Sequence, residues 1–378
     1  MTIIDRYLLF TFLKNFVICL TSFTALYVVI HLFTNLDEVT AAAELSGGMP
    51  QFIWEFYGPR ALDIFDRTAG ILLLFSAVFS FSMMQRRREL TAIQAAGIPR
   101  MRLARPIIVA SLVLIGLSIV NREYWIPQVR EQLVKTPRNW HDTGKIDMHF
   151  FKDQKTGMLI RGKELEIDQR RINEADIQLP GYLSSSLPQL QAHYGIISEA
   201  DHRHPAGIYL HSVKWPEDIS QMTSIQDDDE TVVYLPGDNG WLAPRQAFIA
   251  VDMNLNDVAY GKQLSQYWTL NEMMASLRKP KMWFSHGERV NIHSRILKPM
   301  IDLTLLLLGL PLVVSKVDRN IFMAAGMCIL IVIVVQGATV GFVSLGAYSL
   351  IKPAALAAWL PLIVFGPMAI VAMRRLKS

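Results

Sequence analysis

Long apolar runs are the feature that most limits how this chain can fold. They gather at its two ends and leave a polar stretch over about residues 125–290. A membrane-spanning helix needs ~20 consecutive, mostly apolar residues. Six runs meet that length or approach it and extend into flanking residues: 16–36, 69–84, 106–120, 296–314, 321–351 and 353–373. We therefore predict an α-helical membrane protein with six transmembrane helices and one inserted domain.

The predicted organisation has three parts. Residues 1–124 hold the first three spans and a short loop helix at about 86–97, residues 125–290 form the inserted domain, and residues 291–378 hold the last three spans. Composition agrees, because 51% of the residues are hydrophobic and only 19% are charged. No small-residue cleavage site follows the first apolar run, so we interpret that run as a retained helix.

The placement of lysine and arginine predicts the orientation, because cytoplasmic loops are enriched in both. With a cytoplasmic N-terminus, the short outer segments hold only Arg60, Arg67 and Lys352, and the outer loop 35–68 is acidic. The net charge of +4 then reflects membrane topology, not a nucleic-acid surface. The basic residues of the inner segments are Arg6, Lys14, Arg86, Arg87, Arg88, Arg100, Arg102, Arg105, Lys316, Arg319, Arg374, Arg375 and Lys377.

The inserted domain shows the alternation of apolar and polar residues that is typical of strands. Examples are 158–168, 207–215, 231–235 and 247–255, with turns rich in glycine, proline, asparagine and aspartate between them. We predict an all-β sandwich, jelly-roll-like or partly open, on the non-cytoplasmic side. An open edge of its sheet could pair with the sheet of another protein.

The loop between the second and third spans carries the sharpest local pattern. Three arginines end the second span, and residues 89–96 then predict a short helix with Leu90 and Ile93 on one face. Gly97 favours a helix end at that point. Two interpretations stay open: a connector whose arginines meet anionic lipid, or a helix that docks into a groove of a cytoplasmic partner.

Pairs of polar residues four positions apart lie in or beside the spans: His31 with Asn35, Asp63 with Arg67, and Lys298 with Asp302. Such residues share one helix face. One interpretation is that they anchor helix ends at the lipid interface. The other is that they line a substrate cavity, because ionisable residues at membrane depth usually face protein or water.

Cofactor and metal motifs are absent from the sequence. The chain has no GxxxxGK[ST] loop, so any ATP must be hydrolysed by another chain. Cys19 and Cys328 lie inside apolar runs, where cysteine packs as a small hydrophobic residue. The histidines His202, His204 and His211 lack metal-ligand spacing, so we expect a surface loop and no metal site.

Several motifs, in this order, are similar to those of one family. The chain opens with Asp5-Arg6-Tyr7-Leu8, and the strongest likeness follows in Arg88-Glu89-Leu90-Thr91-Ala92-Ile93-Gln94-Ala95-Ala96-Gly97. Further likeness lies in residues 121–127, 295–300, 310–312 and 356–361. Together these segments resemble the LptF/LptG (YjgP/YjgQ) permeases of the lipopolysaccharide exporter, and the opening is slightly nearer the LptG half.

The resemblance implies a bacterial inner-membrane permease with six helices and a periplasmic β-jellyroll. It implies pairing with a second LptF/LptG-like permease, a cytoplasmic LptB-like ATPase dimer, and a periplasmic bridge of LptC/LptA-like proteins. Lipopolysaccharide would leave the outer leaflet of the inner membrane through this assembly. By position Glu89 resembles the family's ATPase-coupling glutamate, with Arg88, Leu90, Ile93 and Gly97 on the same docking surface.

Two other function classes stay open at this point. A membrane-anchored scaffold or mechanical transmitter would move no lipid itself. An enzyme with an outer catalytic domain would need a nucleophile or a metal, but the β-region has no GxSxG motif.

Overall fold

The structure is a computed structural model of the whole chain. It describes residues 3–141, 145–148, 150–153, 156–184, 187–200, 205–227, 230–251, 255–277, 286–314 and 321–374. Among the residues discussed above, Lys316, Arg319, Arg375, Lys377, His202 and His204 lie outside these ranges. The described residues form two compact units. The first lies within Met1–Leu36, Tyr57–Gln128 and Phe284–Ser378, and the second within Asp37–Phe56 and Val129–Trp283.

Within the described ranges, six helices are long and apolar enough to cross a membrane. They are Ile3–Thr34, Met49–Arg86, Arg100–Gln128, Arg289–Val314, Ala325–Ala347 and Ala354–Arg374. A helix satisfies all its backbone hydrogen bonds internally, which is why apolar runs of this length take that form in lipid. The predicted fold class, a helical membrane protein with an inserted β domain, is confirmed.

The helices of the first four spans begin well before the apolar runs, whereas those of the last two stay close to them. In chain order the helices are α1 (Ile3–Thr34), α2 (Leu36–Leu45), α3 (Met49–Arg86), α4 (Glu89–Ala95), α5 (Arg100–Val120), α6 (Ile126–Gln128), α7 (Arg130–Val134), α8 (Leu255–Leu264), α9 (Leu270–Leu277), α10 (His286–Val314), α11 (Ile321–Ala347) and α12 (Ala354–Arg374). A π-helix, Asn121–Trp125, joins α5 to α6. Short 3₁₀ turns occupy Pro137–Asn139 and Ser265–Tyr267.

The acidic segment 35–68, predicted as a loop, is mostly helical. It forms α2 and the first half of α3. Phe52 and Phe56 of α3 stack with ring centroids 5.0 Å apart, and the Trp140 ring packs edge-on against both. An amphipathic helix of this kind has too many polar residues to be recognised by a criterion based on apolar length.

The helical unit packs around a core formed chiefly by α3, α5 and α10. Leu72, Leu73 and Leu74 of α3 and Leu305 and Leu306 of α10 are fully buried. In contrast, only 11% of the apolar stretch of α1, and the same share of α11, is buried within the chain. These two helices therefore leave most of their apolar surface uncovered.

The second unit is built on an antiparallel sheet, with eleven strands among the residues that the structure describes. The longest pair is the β7–β8 hairpin, and β7 also pairs with both β5 and β6. The strands are β1 (Lys145–Asp147), β2 (Phe151–Lys152), β3 (Leu159–Arg161), β4 (Glu164–Glu166), β5 (Arg171–Asn173), β6 (Asp176–Gln178), β7 (Gln189–Ser198), β8 (Gly207–Trp215), β9 (Ile225–Asp227), β10 (Glu230–Tyr234) and β11 (Gln246–Ala250).

Connectivity and burial agree with the predicted β class. The order β8-β11-β10-β9 is that of a Greek key, the connection from which jelly rolls are built. Along β7 the burial alternates, with Leu190, Ala192 and Ile197 inside a core shared with β8 and β11. The period-two pattern read in the sequence therefore matches one buried sheet face.

Candidate functional site

A cavity of about 250 Å³ lies within the helical unit, bounded by α3, the π-helix, α10 and α11. Its charged lining residues are Arg67, Arg122, Arg295, Lys298 and Asp302, and its polar ones include Ser294, Gln336, Thr339 and Ser344. Four cations thus face one carboxylate at the cavity wall. A wall of that composition favours an anionic ligand, because guanidinium groups bind phosphate and carboxylate oxygens through paired hydrogen bonds.

Asp66 is the centre of the ion pairs behind this wall. Its carboxylate Oδ1 lies 3.1 Å from Nζ of Lys298, and its Oδ2 lies 4.0 Å from Nε of Arg122. The Lys298 ammonium also donates to the main-chain oxygen of Asp66. Ser118 donates its hydroxyl to the same carboxylate at 3.4 Å. Asp66 therefore links α3 to both α5 and α10.

The π-helix supplies three consecutive polar residues to this region. Asn121 donates its amide to the Leu62 carbonyl at 2.8 Å, Arg122 pairs with Asp66, and Glu123 lies 3.3 Å from the Arg295 guanidinium. Consecutive residues of a regular α-helix point about 100° apart. The wider π-turn changes that spacing, and such turns occur often at functional sites.

Asp302 is nearly closed off from water, with 5% of its surface exposed. It lies one turn beyond Lys298 on α10 and packs against Gly70 of α3. A Cβ atom at Gly70 would overlap the Asp302 carboxylate, so only glycine fits there without a shift. The close approach of α3 and α10 at this level therefore depends on Gly70.

The structure brings three of the six predicted cavity residues, Arg67, Lys298 and Asp302, to one cavity. Asp63 lies beside it, where its carboxylate holds Arg67 Nε at 2.8 Å. The remaining two form a separate contact. His31 Nδ1 lies 2.9 Å from the Tyr57 hydroxyl, and Asn35 donates its amide to the His31 carbonyl.

Asp66, Arg122 and Arg295 were not predicted from the sequence as cavity residues. A signal was present, since Arg122 and Arg295 lie within two of the family-like segments, 121–127 and 295–300. The sequence does not show how deep in the helical bundle such a residue lies. A charge at the end of an apolar run has the pattern of an interfacial anchor until the neighbouring helices are known.

The short helix α4 forms a second candidate site. Leu90 is 0% exposed and Ile93 is half-buried, and both pack against the helical core. The opposite face is exposed and carries Thr91, Ala92, Ala95 and Ala96. Leu90 and Ile93 thus attach α4 to the bundle, and small residues form its accessible face.

Backbone conformation limits α4 at both ends. Arg88 precedes the helix with φ 59°, in the left-handed region, and Gly97 follows it with φ 76°. Such a φ is free of strain only for glycine, which explains Gly97 but not Arg88. Arg88 holds a conformation that costs energy, and its side chain is exposed.

The Glu89 carboxylate has neighbours on both sides. The Tyr7 hydroxyl of α1 donates to its Oε2 at 2.9 Å, and Arg87 Nη1 lies 3.9 Å from its Oε1. Glu89 is thus partly covered by its own chain, whereas Arg86, Arg87 and Arg88 are exposed.

Six membrane-length helices and an inserted antiparallel sheet define a multi-pass membrane protein, and its helical part holds a cavity lined by cations. In the described part of the chain, no cluster of histidine, cysteine, aspartate or glutamate is suited to a metal ion.

Comparison with protein families gives a match to the family described as Lipopolysaccharide export system permease LptF/LptG, over residues 6–186 and 220–375. The chain therefore belongs to the LptF/LptG family, an inner-membrane component of lipopolysaccharide export. A comparison with individually curated proteins finds no match.

Proposed function

We propose that this chain is the permease subunit that takes lipopolysaccharide from the outer leaflet of the inner membrane and passes it toward a periplasmic protein bridge. The observation that carries the proposal is the cavity whose wall holds Arg67, Arg122, Arg295 and Lys298 within a helical unit of the LptF/LptG family. Lipopolysaccharide is an amphiphile with phosphate groups, and phosphates are the anions that arginine binds best.

Arg67 is the cavity residue best suited to first contact with a phosphate. Its side chain is 57% exposed, whereas Arg295 is buried beside Glu123. Arg67 Nε donates to Asp63, and the exposure of the side chain gives a phosphate access to the guanidinium group. We assign Arg67 to substrate contact, and Lys298 and Asp302 to the support of the wall behind it.

The proposed orientation places α4 and both termini in the cytoplasm and the β unit in the periplasm. It is supported by the arginines at and after the end of α3, Arg86, Arg87 and Arg88, all of which are exposed. Cytoplasmic loops of membrane proteins are enriched in such residues.

Energy would come from a separate LptB-like ATPase dimer that binds α4. Glu89 is the proposed coupling residue, with the exposed face of α4 beside it. Leu90 and Ile93 support the helix from behind, and Arg88 and Gly97 set its two ends. Because α4 is packed tightly against the bundle, a displacement of α4 by the ATPase is transmitted to the other helices.

A second permease of the same family is the partner we propose for the uncovered faces of α1 and α11. Both helices bury little of their apolar stretch within the chain. Helices enclosing a lipid between two permeases need such faces. On the β unit, the outermost strands β1 and β9 are the edges that an LptC- or LptA-like protein would extend by strand pairing.

The test is reconstitution of the purified complex in proteoliposomes containing lipopolysaccharide, with ATP-dependent release as the readout. We expect release by the wild type and about a tenfold lower rate for Arg67→Gln, the loss of one charge-assisted contact. Arg138→Gln is the matched control, because Arg138 is an exposed arginine of the other unit, and it should release at the wild-type rate.

Two results would overturn the proposal. ATP turnover by the wild-type complex without release would favour a mechanical transmitter that moves no lipid. Equal release by Arg67→Gln and the wild type would remove the cavity from the transport path.

A further inference from the structure

Tyr7 connects the opening segment of the chain to the helix proposed to bind the ATPase. Its hydroxyl donates to Glu89 Oε2 at 2.9 Å, across a separation of 82 residues in sequence. Arg87 lies 3.9 Å from the other carboxylate oxygen. A hydrogen bond donated to a carboxylate is stronger than one between neutral groups. The carboxylate is therefore held by α1 on one side and by the chain before α4 on the other.

The buried residues of α1 lie toward the end that carries Tyr7. They are Leu8, Phe12, Phe16 and Cys19. Beyond Cys19 every described residue of α1 is exposed or half-buried. Farther along, α1 also contacts α3 through the His31–Tyr57 hydrogen bond, but most of its buried surface lies toward Tyr7. A displacement of the Tyr7 end is therefore passed to the rest of α1.

Tyr7 has the chemistry that such a connection needs. A phenol donates one hydrogen bond, and an ionised carboxylate only accepts. The contact is partly exposed to solvent, since 39% of Tyr7 is exposed. Water competes for bonds of this kind, so we expect the loss of the hydroxyl to weaken the connection without unfolding either helix.

We infer that Tyr7 is a positioning residue that ties Glu89 to α1, so that displacement of α4 by the ATPase is passed to the helix facing the lipid. This inference rests on the proposed function, because it takes α4 to be the coupling helix. Tyr7 acts through Glu89 and touches no substrate.

The experiment uses the full permease–ATPase complex in proteoliposomes with lipopolysaccharide and compares Tyr7→Phe with the wild type. The readouts are the amount of ATPase that co-purifies, the rate of ATP hydrolysis, and lipopolysaccharide released per ATP. We expect normal co-purification and hydrolysis by Tyr7→Phe, with release per ATP reduced about fivefold, the value of one partly exposed hydrogen bond. A merely structural role would alter yield and thermal stability without changing that ratio.

Two controls isolate the bond. Tyr348→Phe removes the hydroxyl of a tyrosine that is 80% exposed beyond the end of α11, and it should keep the wild-type ratio. In the Glu89→Ala background, which removes the acceptor, adding Tyr7→Phe should cause little further loss if Tyr7 acts through Glu89.

The outcomes separate this inference from the proposed function. If the wild type releases no lipopolysaccharide, the proposed function fails. If the wild type works and Tyr7→Phe keeps its release per ATP, or lowers it equally with and without Glu89→Ala, the function stands and the role of Tyr7 is overturned.

Discussion

At the scale of single residues, Asp66 and Lys298 explain how charges are tolerated among apolar helices. A lone charge in such surroundings costs several kcal/mol, and pairing offsets much of it. Asp66 pairs with Lys298 and lies within 4.0 Å of Arg122, while Arg295 pairs with Glu123. The carboxylates Asp66 and Glu123 lie behind the wall, so four cations and the Asp302 carboxylate are the charged groups that line the cavity.

Gly70 is the residue at which a single added carbon would disturb this cluster. We expect Gly70→Ala to lower the stability of the detergent-solubilised protein by about 1–3 kcal/mol, because its Cβ would overlap the Asp302 carboxylate. Thermal unfolding followed by circular dichroism measures it. Gly116→Ala in α5 is the matched control, since a Cβ there meets nothing within 4 Å. Equal midpoints for the two variants would contradict the packing argument.

At the scale of elements, two short helical segments position the residues of both candidate sites, and the long helices form the bundle around them. The five-residue π-helix Asn121–Trp125 directs side chains toward both α3 and α10. The seven-residue α4 is too short to be stable alone, since isolated helices below about 12 residues are marginal. The formation of α4 therefore depends on the packing of Leu90 against the helical core.

A contact between two neighbouring strands of the sheet, β7 and β8, is expected to respond to pH. His211 of β8 stacks on Tyr194 of β7 with ring centroids 4.9 Å apart, and its Nδ1 lies 3.0 Å from the Gln246 amide. Burial, together with the nearby Arg171 guanidinium, lowers the pKa of His211 below its ordinary value. The folded state therefore favours the neutral imidazole. As pH falls, the unfolded state binds the proton first.

The sign of the pH effect follows from that lowered pKa. The contribution of His211 to stability is complete above the unfolded-state pKa of about 6.5 and is lost as the pH falls below it. We expect the unfolding midpoint of the intact chain to drop between about pH 7.5 and about pH 5.5, and His211→Gln to drop less. An equal drop in both proteins would show that His211 does not titrate differently on folding.

At the scale of the whole molecule, the chain passes between its two units four times, near residues 36, 56, 128 and 283. The second crossing lies inside α3, just before Gly58 and Pro59. A proline inside a helix removes one backbone hydrogen bond and allows a bend. Both units are thus built from segments distant in sequence, and neither corresponds to one continuous stretch of chain.

The proposed orientation predicts which surfaces a membrane-impermeant thiol reagent reaches in spheroplasts. Glu217→Cys, exposed in the β unit, should be labelled in intact spheroplasts, and Thr91→Cys on α4 should be labelled only after lysis. The two native cysteines, Cys19 and Cys328, are buried and keep the background low. Labelling of residue 91 before lysis would show that the proposed orientation is wrong and that α4 is not accessible to a cytoplasmic ATPase.

The sequence alone determined the class of this protein, because spanning a membrane imposes a length and a composition that can be counted. The six apolar runs, the alternating β segments and the Arg88–Gly97 motif all lead to helix or strand through local rules. Leu90 and Ile93 likewise follow a helical period that places them on one face.

Only the tertiary structure decided which polar residues meet. Asp66, Arg122 and Lys298 are far apart in sequence, and their contact depends on how α3, α5 and α10 pack around Gly70. The helices within residues 35–68 and the hydrogen bond from Tyr7 to Glu89 were likewise shown only by the tertiary structure. Local periodicity reports which face of a helix is apolar, but the partner of a polar side chain is set by long-range packing.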